Sequence, residues 1–387
     1  MGKKTKMEDM VMLNKYFLSI FKGKKILVTG HTGFKGSWLS LWLHELGADV
    51  VGFSLPPLTE PNNYDRCNLN ERITSIIGDL RKFDCTSKVI AEQKPEIIFH
   101  LAAQTIVRLS YQESRMTYET NIMGLVNLLE AVKLHKSPKI IVIVTSDKCY
   151  ENKEWVWAYR ETDEIGGYDP YSSSKACAEI IASTYRRSFF DKLKIHLATA
   201  RAGNVIGGGD WSEDRIVPDC IRAIIKNEKI LIRNPSATRP WQYILEPLSG
   251  YLWLAALLYQ NGAKYASAWN FGPPTYQEET VENIVKLSIS YWKGTFSSKY
   301  QTNKNNDEPH ESHNLRLDCN KAYHLLNWKG ILDVRNSVKK TINWYKKFYQ
   351  GEKDIYHLCL NEIVEYCKLA QKSGIQWANA SGEQHCK

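Results

Sequence analysis

The chain has 387 residues, 43% of them hydrophobic, enough for a full buried core, and a formal net charge of +9 from 51 Lys and Arg against 42 Asp and Glu. Only Lys3, Lys4 and Lys6 form a compact basic run, so the excess charge suits a small anion such as a nucleotide diphosphate, with no stripe or motif for nucleic acid. Nine scattered cysteines without a Cys-x-x-Cys pair exclude a zinc ribbon and read as free thiols of a reducing cytoplasm, and no apolar stretch reaches signal or membrane-spanning length.

In chain order, Ile26 to Thr29 is a short apolar run that ends at Gly30 and is followed by a helical pattern carrying Trp38, Leu39, Leu41, Trp42 and Leu46. Between them, Thr29-Gly30-His31-Thr32-Gly33-Phe34-Lys35-Gly36 spaces three glycines as G-x-x-G-x-x-G. In a strand-to-helix turn this permits close backbone approach and offers free amides to a pyrophosphate, which makes Gly30, Thr32, Gly33, Phe34, Lys35 and Gly36 cofactor candidates. A second strand, Asp49 to Phe53, ends in Ser54-Leu55-Pro56, without the carboxylate that normally meets the ribose of NAD. No Arg stands there for NADP either, and NAD is the cofactor expected.

Strands follow at Ile73 to Ile77, Ile97 to Leu101, Ile140 to Thr145 and Ile195 to Ala200, with helical stretches at Thr120 to Leu134 and Tyr171 to Phe190. Asp79 and Leu80 are placed to meet an adenine, and Leu101, Ala102 and Ala103 supply small residues where a flat ligand can lie. Gln104 is a candidate contact to a sugar, whereas His100 reads as a core imidazole. Strands apolar on both faces and alternating with helices predict a doubly wound α/β fold with a parallel sheet.

After Arg201 the pattern shifts to the Gly-rich run Gly203 to Trp211 and then to shorter mixed elements. The expected organisation is a dinucleotide-binding domain over 22–203, with 247–272 returning to it, a smaller substrate lobe over 204–246 and 273–350, and a helical extension with a polar tail over 351–387. Ser297 to Ser312 is expected to be an exposed loop.

The chemistry concentrates in two places. Tyr171 and Lys175 lie four apart on one helical face, where an ammonium favours a phenolate. Ser146, Asp147 and Lys148 close the preceding strand and add an acid/base pair beyond what hydride transfer requires. The bland reading of Asp147 and Lys148 is a salt-bridged strand end, because adjacent strand residues point to opposite faces.

Together these segments resemble the extended short-chain dehydrogenase/reductase superfamily. Within it, residues 31–38, 145–150, 201–211 and 239–244 are most similar to the nucleotide-sugar 4,6-dehydratases, the CDP-glucose branch in particular. The resemblance covers about residues 25 to 345 and implies a Rossmann fold, NAD, a CDP-glucose substrate, a homodimer built on the helices near 110–134 and 171–190, and a role in deoxysugar supply for surface polysaccharide. It implies that Tyr171 is the base at the C4 hydroxyl, assisted by Lys175, with Ser146 orienting that hydroxyl and the growing ketone. Asp147 is then the acid at the departing C6 hydroxyl and Lys148 the base at C5, where most related dehydratases carry a glutamate. Arg215 and Arg239 are candidates for the substrate diphosphate, and Asn204 for the pyrophosphate or the sugar. The alternatives are a nucleotide-sugar 4-epimerase, a dehydratase for a dTDP-, UDP- or GDP-linked hexose, and a dinucleotide sensor without turnover.

Overall fold

The computed structural model describes residues 13, 15–274, 279–292, 300–302 and 314–379. A seven-stranded parallel sheet forms its centre. In chain order its strands are β1 (Lys25–Thr29), β2 (Asp49–Ser54), β3 (Thr74–Ile77), β4 (Ile97–His100), β5 (Ile140–Val144) and β6 (His196–Ala202), followed by Ala268–Phe271. Across the sheet the order runs from Ala268–Phe271 through β6, β5, β4, β1 and β2 to β3. The order reverses between β1 and β4, which opens a crevice at their carboxyl ends where ligands of such sheets bind.

Alternation along the strands fills both faces of the sheet. Ile26, Val28, Phe99 and Val142 point into one core, and Leu27, Ile98, Ile141 and Ile143 into the other. Helix α1 (Phe34–Glu45) covers the first face, burying Trp38, Leu39, Leu41 and Trp42. Helices α2 (Phe83–Gln93), α3 (Gly124–His135) and α4 (Pro170–Tyr185) cover the second.

The chain beyond β6 both roofs the crevice and returns to the sheet. Helix α5 (Ile216–Lys226) and α6 (Val281–Trp292) pack on each other beside Ile230 and Ile232. Between them, the buried helix Leu245–Asn261 leads to the strand Ala268–Phe271 beside β6. Helix α7 (Val334–Tyr349) packs against α6, and α8 (Ile355–Lys372) lies on the first face.

Beyond residue 350, where a helical extension is expected, helix α8 is buried against the rest of the chain. Cys359, Ile363, Tyr366 and Cys367 are fully buried, Tyr356 bonds Glu45 of α1, and Trp377 stacks on Phe17 at 4.7 Å. This segment therefore completes the core under α1. Of the loop expected at Ser297 to Ser312, residues 300–302 form a short strand on Ile230–Ile232, while the rest and the tail beyond 379 lie outside the described residues.

Candidate active site

A single cleft of about 1510 Å³ runs along the carboxyl ends of the strands and under the later lobe. That volume exceeds the roughly 300–1,000 Å³ of a one-ligand pocket, so it has space for two ligands end to end. At one end it is lined by Gly30, Thr32, Gly33, Phe34, Lys35, Gly36, Asp79, Leu80, Leu101, Ala102 and Ala103. The middle holds Ser146, Asp147, Lys148, Tyr171 and Lys175, and the other end Asn204, Arg215 and Arg239. The cysteines within the described residues are free thiols, and no cluster there could hold a metal ion.

The residues of the first end fit a dinucleotide. Gly30 has φ +75, and a Cβ there would lie 2.7 Å from the Ala102 amide nitrogen, so the turn after β1 is closed to any side chain. A Cβ at Gly36 would lie 2.0 Å from the Gly30 carbonyl oxygen, which fixes the first turn of α1 directly behind the loop. First-turn amides of a helix lack intrahelical acceptors and present partial positive charge, the combination that holds a pyrophosphate. Thr32 ties the loop to the end of β2 by donating to the Leu55 carbonyl at 2.9 Å and pairing with Ser54 at 3.0 Å. Asp79 is clamped by Arg81 at 2.7 Å, which holds its carboxyl below the usual value.

The catalytic candidates occupy two neighbouring element ends. β5 stops at Val144, and a short turn at Asp147–Cys149 replaces further strand, so Asp147 and Lys148 both line the cleft despite being adjacent. Ser146 caps that turn: its Oγ accepts from the Lys148 amide at 3.2 Å and donates to Asp147 Oδ1 at 3.0 Å. Helix α4 starts one residue before Tyr171. Asp169 caps it by accepting from the Ser172 amide at 2.9 Å, and Pro170 occupies the first turn, where its missing N–H costs nothing.

Burial sets the electrostatics. Tyr171 is 8% exposed and its phenol is pushed up to about 12, chiefly by burial, with a hydrogen bond to Ser146 acting in the opposite direction. Lys175, bonded to the Val144 carbonyl at 3.4 Å and 6.0 Å from the Tyr171 ring centre, is pushed down to about 8 by burial. Burial raises the Asp147 carboxyl above its ordinary value against the pull of Lys148, Ser146, Arg239 and Lys35. Its Oδ2 is buried and has no hydrogen-bond partner among the described residues, and it faces Gly203, where a Cβ would come within 2.9 Å. Lys35, facing the same space, is pushed down to about 7, first by burial and then by Arg215 and Lys175.

At the far end Arg215 bonds Asp210 at 3.2 Å and Thr105 at 3.2 Å, and buried Arg239 bonds the Thr238 carbonyl at 2.8 Å. Asn204 lines the cleft while its carbonyl accepts from the Gln242 amide at 3.0 Å. Gln104 is a correction to the reading of the sequence. Its side chain folds back on its own loop, donating to Thr117 at 2.9 Å and to the Ile106 carbonyl at 3.1 Å, and it is absent from the cleft wall. His100 is a satisfied core group: its Nδ1 pairs with Thr29 at 2.8 Å, and burial pushes it down to about 3.

The sequence reading passed over one network. Glu179, one turn beyond Lys175 on α4, accepts from Thr145 at 2.5 Å, Thr199 at 2.7 Å and Arg201 at 2.8 Å. Arg201 continues to the Tyr150 hydroxyl at 2.7 Å. This fully buried ion pair fastens the helix of Tyr171 to the ends of β5 and β6.

Comparison with known proteins agrees with this layout. Residues 27–341 match the family described as GDP-mannose 4,6 dehydratase. The chain belongs to that family. A CDP-glucose 4,6-dehydratase of Salmonella typhimurium is 48% identical over 92% of this chain and 98% of its own length. A human dTDP-D-glucose 4,6-dehydratase is 26% identical over 86% of this chain and 93% of its own. Among solved structures, the dTDP-glucose 4,6-dehydratase of Bacillus anthracis in complex with NAD has a TM-score of 0.69 at 21% identity, over 86% of this chain and all of that one, and shares the fold. No helix among the described residues is long and apolar enough to cross a membrane.

Proposed function

We propose that this family member is an NAD-dependent hydro-lyase that converts CDP-glucose to CDP-4-dehydro-6-deoxyglucose and water. The observation that carries the reading is the meeting of two sets of groups in one cleft: Tyr171, Lys175 and Ser146, which suffice to oxidise a sugar hydroxyl, and the adjoining Asp147 and Lys148. An epimerase has no use for the second set. The choice of CDP rests on the 48% identity to the Salmonella enzyme over 92% of this chain.

NAD, when bound on the Gly30 to Gly36 loop, supplies the acceptor for the C4 hydride and its later donor to C6. Tyr171 removes the proton of the C4 hydroxyl once ionised; burial holds its phenol up at about 12, and Lys175, 6.0 Å from its ring centre, is the cation on the same helix face. The resulting ketone acidifies C5. Lys148 takes the C5 proton, and Asp147, whose burial favours the neutral acid, gives a proton to the C6 oxygen as the C6–O bond breaks. Lys148 returns its proton to C5 at the end. Arg215 and Arg239 suit the diphosphate because a guanidinium meets phosphate oxygens in pairs.

A homodimer belongs to the same reading. Exposed Met123 and Ile180, at 50% and 56%, lie on adjoining segments, where Tyr118 bonds Ser173 at 2.9 Å. Sedimentation at a single-chain mass would exclude it.

The function is tested by incubating the NAD-supplied protein with CDP-, dTDP-, UDP- and GDP-glucose. The expected result is loss of one water by mass and a keto-sugar absorbance in alkali with the CDP sugar first. An isomer of unchanged mass would replace the dehydratase with the 4-epimerase.

A further inference from the structure

The cleft continues past Arg215 into space that the reaction does not use. With the diphosphate on Arg215 and Arg239, the glucosyl group lies toward Tyr171 and Asp147, and the nucleoside lies on the other side of the arginines. One wall of that space is helix α5, which begins directly after Arg215 and turns Asp219, Arg222 and Lys226 to the cleft, three and four apart on one face. Its 11 residues extend about 16 Å, room to flank a ribose and a base. A second wall is the strand Ile230–Ile232, which runs back along α5 until Arg233 bonds Asp214, beside the start of that helix, at 2.7 Å. Ile230 and Ile232 are buried against α5 and α6, so alternation turns Leu231 the other way. Leu231 is 55% exposed and lines the cleft, an apolar side chain open to the face of a flat ring.

Glu228 sits where the two walls join, at the end of the space farthest from Arg215. Asn227 ends α5 with φ +56, and the Glu228 amide donates back to the Ala223 carbonyl at 2.8 Å, which fixes the turn. Glu228 lines the cleft and has no ion-pair partner among the described residues. Four other carboxylates of the cleft are each bonded by an arginine, Asp79 by Arg81, Asp210 by Arg215, Asp214 by Arg233 and Asp219 by Arg222, and Asp147 belongs to the reaction. In a pyrimidine nucleotide, position 4 lies across the ring from the ribose bond at N1. A ring laid on Leu231 with its ribose toward the arginines therefore points position 4 at the turn of Glu228. There cytosine presents an amino group with two N–H donors, and uracil and thymine present a carbonyl oxygen. A carboxylate accepts from the first and repels the second.

We propose that Glu228 selects cytosine, accepting a hydrogen bond from its 4-amino group while Leu231 supports the ring. This role for Glu228 rests on the CDP-glucose reading above. It makes Glu228 a determinant of specificity, remote from the atoms that react.

Calorimetric titration of the NAD-loaded protein with CDP and with UDP tests it, in the wild type, Glu228→Ala and Glu228→Gln. A hydrogen bond to a charged group is worth on the order of 10- to 100-fold, and the wild type is expected to prefer CDP by that factor. Glu228→Ala should bring the two affinities within about threefold of each other. Glu228→Gln should do the same chiefly by gaining UDP, because its amide can donate to O4. The ratio is the readout, since removing a negative charge strengthens the binding of both anions alike. A CDP preference that survives in both variants would overturn the role of Glu228 and leave the CDP-glucose reading intact, whereas a wild type that binds UDP as tightly as CDP would overturn both. A protein whose CDP preference depends on Glu228 but which leaves CDP-glucose undehydrated would support the base contact and overturn the dehydratase reading.

Discussion

Replacing Arg201 by Met removes the countercharge from a carboxylate that has no route to water. Glu179 and Arg201 are 3% and 2% exposed as side chains, with 2.8 Å between Oε2 and Nη2. Burial alone would raise the Glu179 carboxyl, but Arg201, aided by the Thr145 and Thr199 hydroxyls, holds it below the ordinary carboxylate value. With Arg201 gone, two hydroxyls remain as donors to a buried anion, and such an uncompensated charge costs about 3–5 kcal/mol. Two routes lower the cost, protonation of Glu179 or displacement of α4, and either disturbs the helix that presents Tyr171 and Lys175.

Urea unfolding of Arg201→Met at neutral pH should therefore show a loss of about 3–5 kcal/mol, accompanied by a fall in kcat. The double variant Glu179→Gln/Arg201→Met should recover much of that loss, because a neutral amide still accepts from Thr145 and Thr199 and leaves no charge behind. A coupling above about 1 kcal/mol is expected from groups in direct contact. If the double variant instead loses the sum of the two single losses, or if Arg201→Met costs under about 1 kcal/mol, the pair is not what fastens α4.

Gly30→Ala should abolish dinucleotide binding by calorimetry, since its Cβ would meet the Ala102 nitrogen at 2.7 Å and φ +75 strains any other residue, while retained binding would remove the loop from the cofactor site. Asp147→Asn should stop water loss while hydride still leaves C4, seen as NADH absorbance on adding substrate; loss of both would place Asp147 in the first step. Lys148→Glu should retain measurable dehydration if the position requires a base of either charge type, and an inactive but NAD-reducing variant would show that the amine itself is needed. Glu246, buried under the Ile331 and Leu332 amides and the Tyr366 hydroxyl, is raised from 4.5 to about 7 by burial. A raised folded value means that its contribution is complete below about 4.5 and is lost as pH rises through 7, roughly 3 kcal/mol across that window. Thermal unfolding should thus weaken from pH 5 to 8 in the wild type and less so in Glu246→Gln; parallel curves would contradict the assignment.

The sheet and the glycine-rich turn were legible because their signals are local. Apolar runs of four to six residues and a turn with three spaced glycines are dictated by neighbouring residues, and the strands formed within a residue or two of the expected bounds. Tyr171 and Lys175 were legible for the same reason, four apart on one helix. The fate of Gln104 was not, because a small-residue loop says where the backbone passes and nothing of which way a side chain turns. The packing of α8 under α1 and the Glu179–Arg201 pair depend on contacts between distant parts of the chain, for which the sequence offers no period or spacing.

Asp147 and Lys148 lay between these cases. As strand residues they would have faced opposite sides, and only one could have entered the cleft. What brings both in is the ending of β5 at Val144 and the turn that Ser146 caps through the Lys148 amide. The same hydroxyl that caps the turn donates to Asp147, so one side chain both shapes the turn and orients the carboxyl. A change of Ser146 to a residue with no hydroxyl therefore removes a cap and a connection together. The Ser146→Thr variant, which preserves both, separates the consequences of chemistry from those of folding.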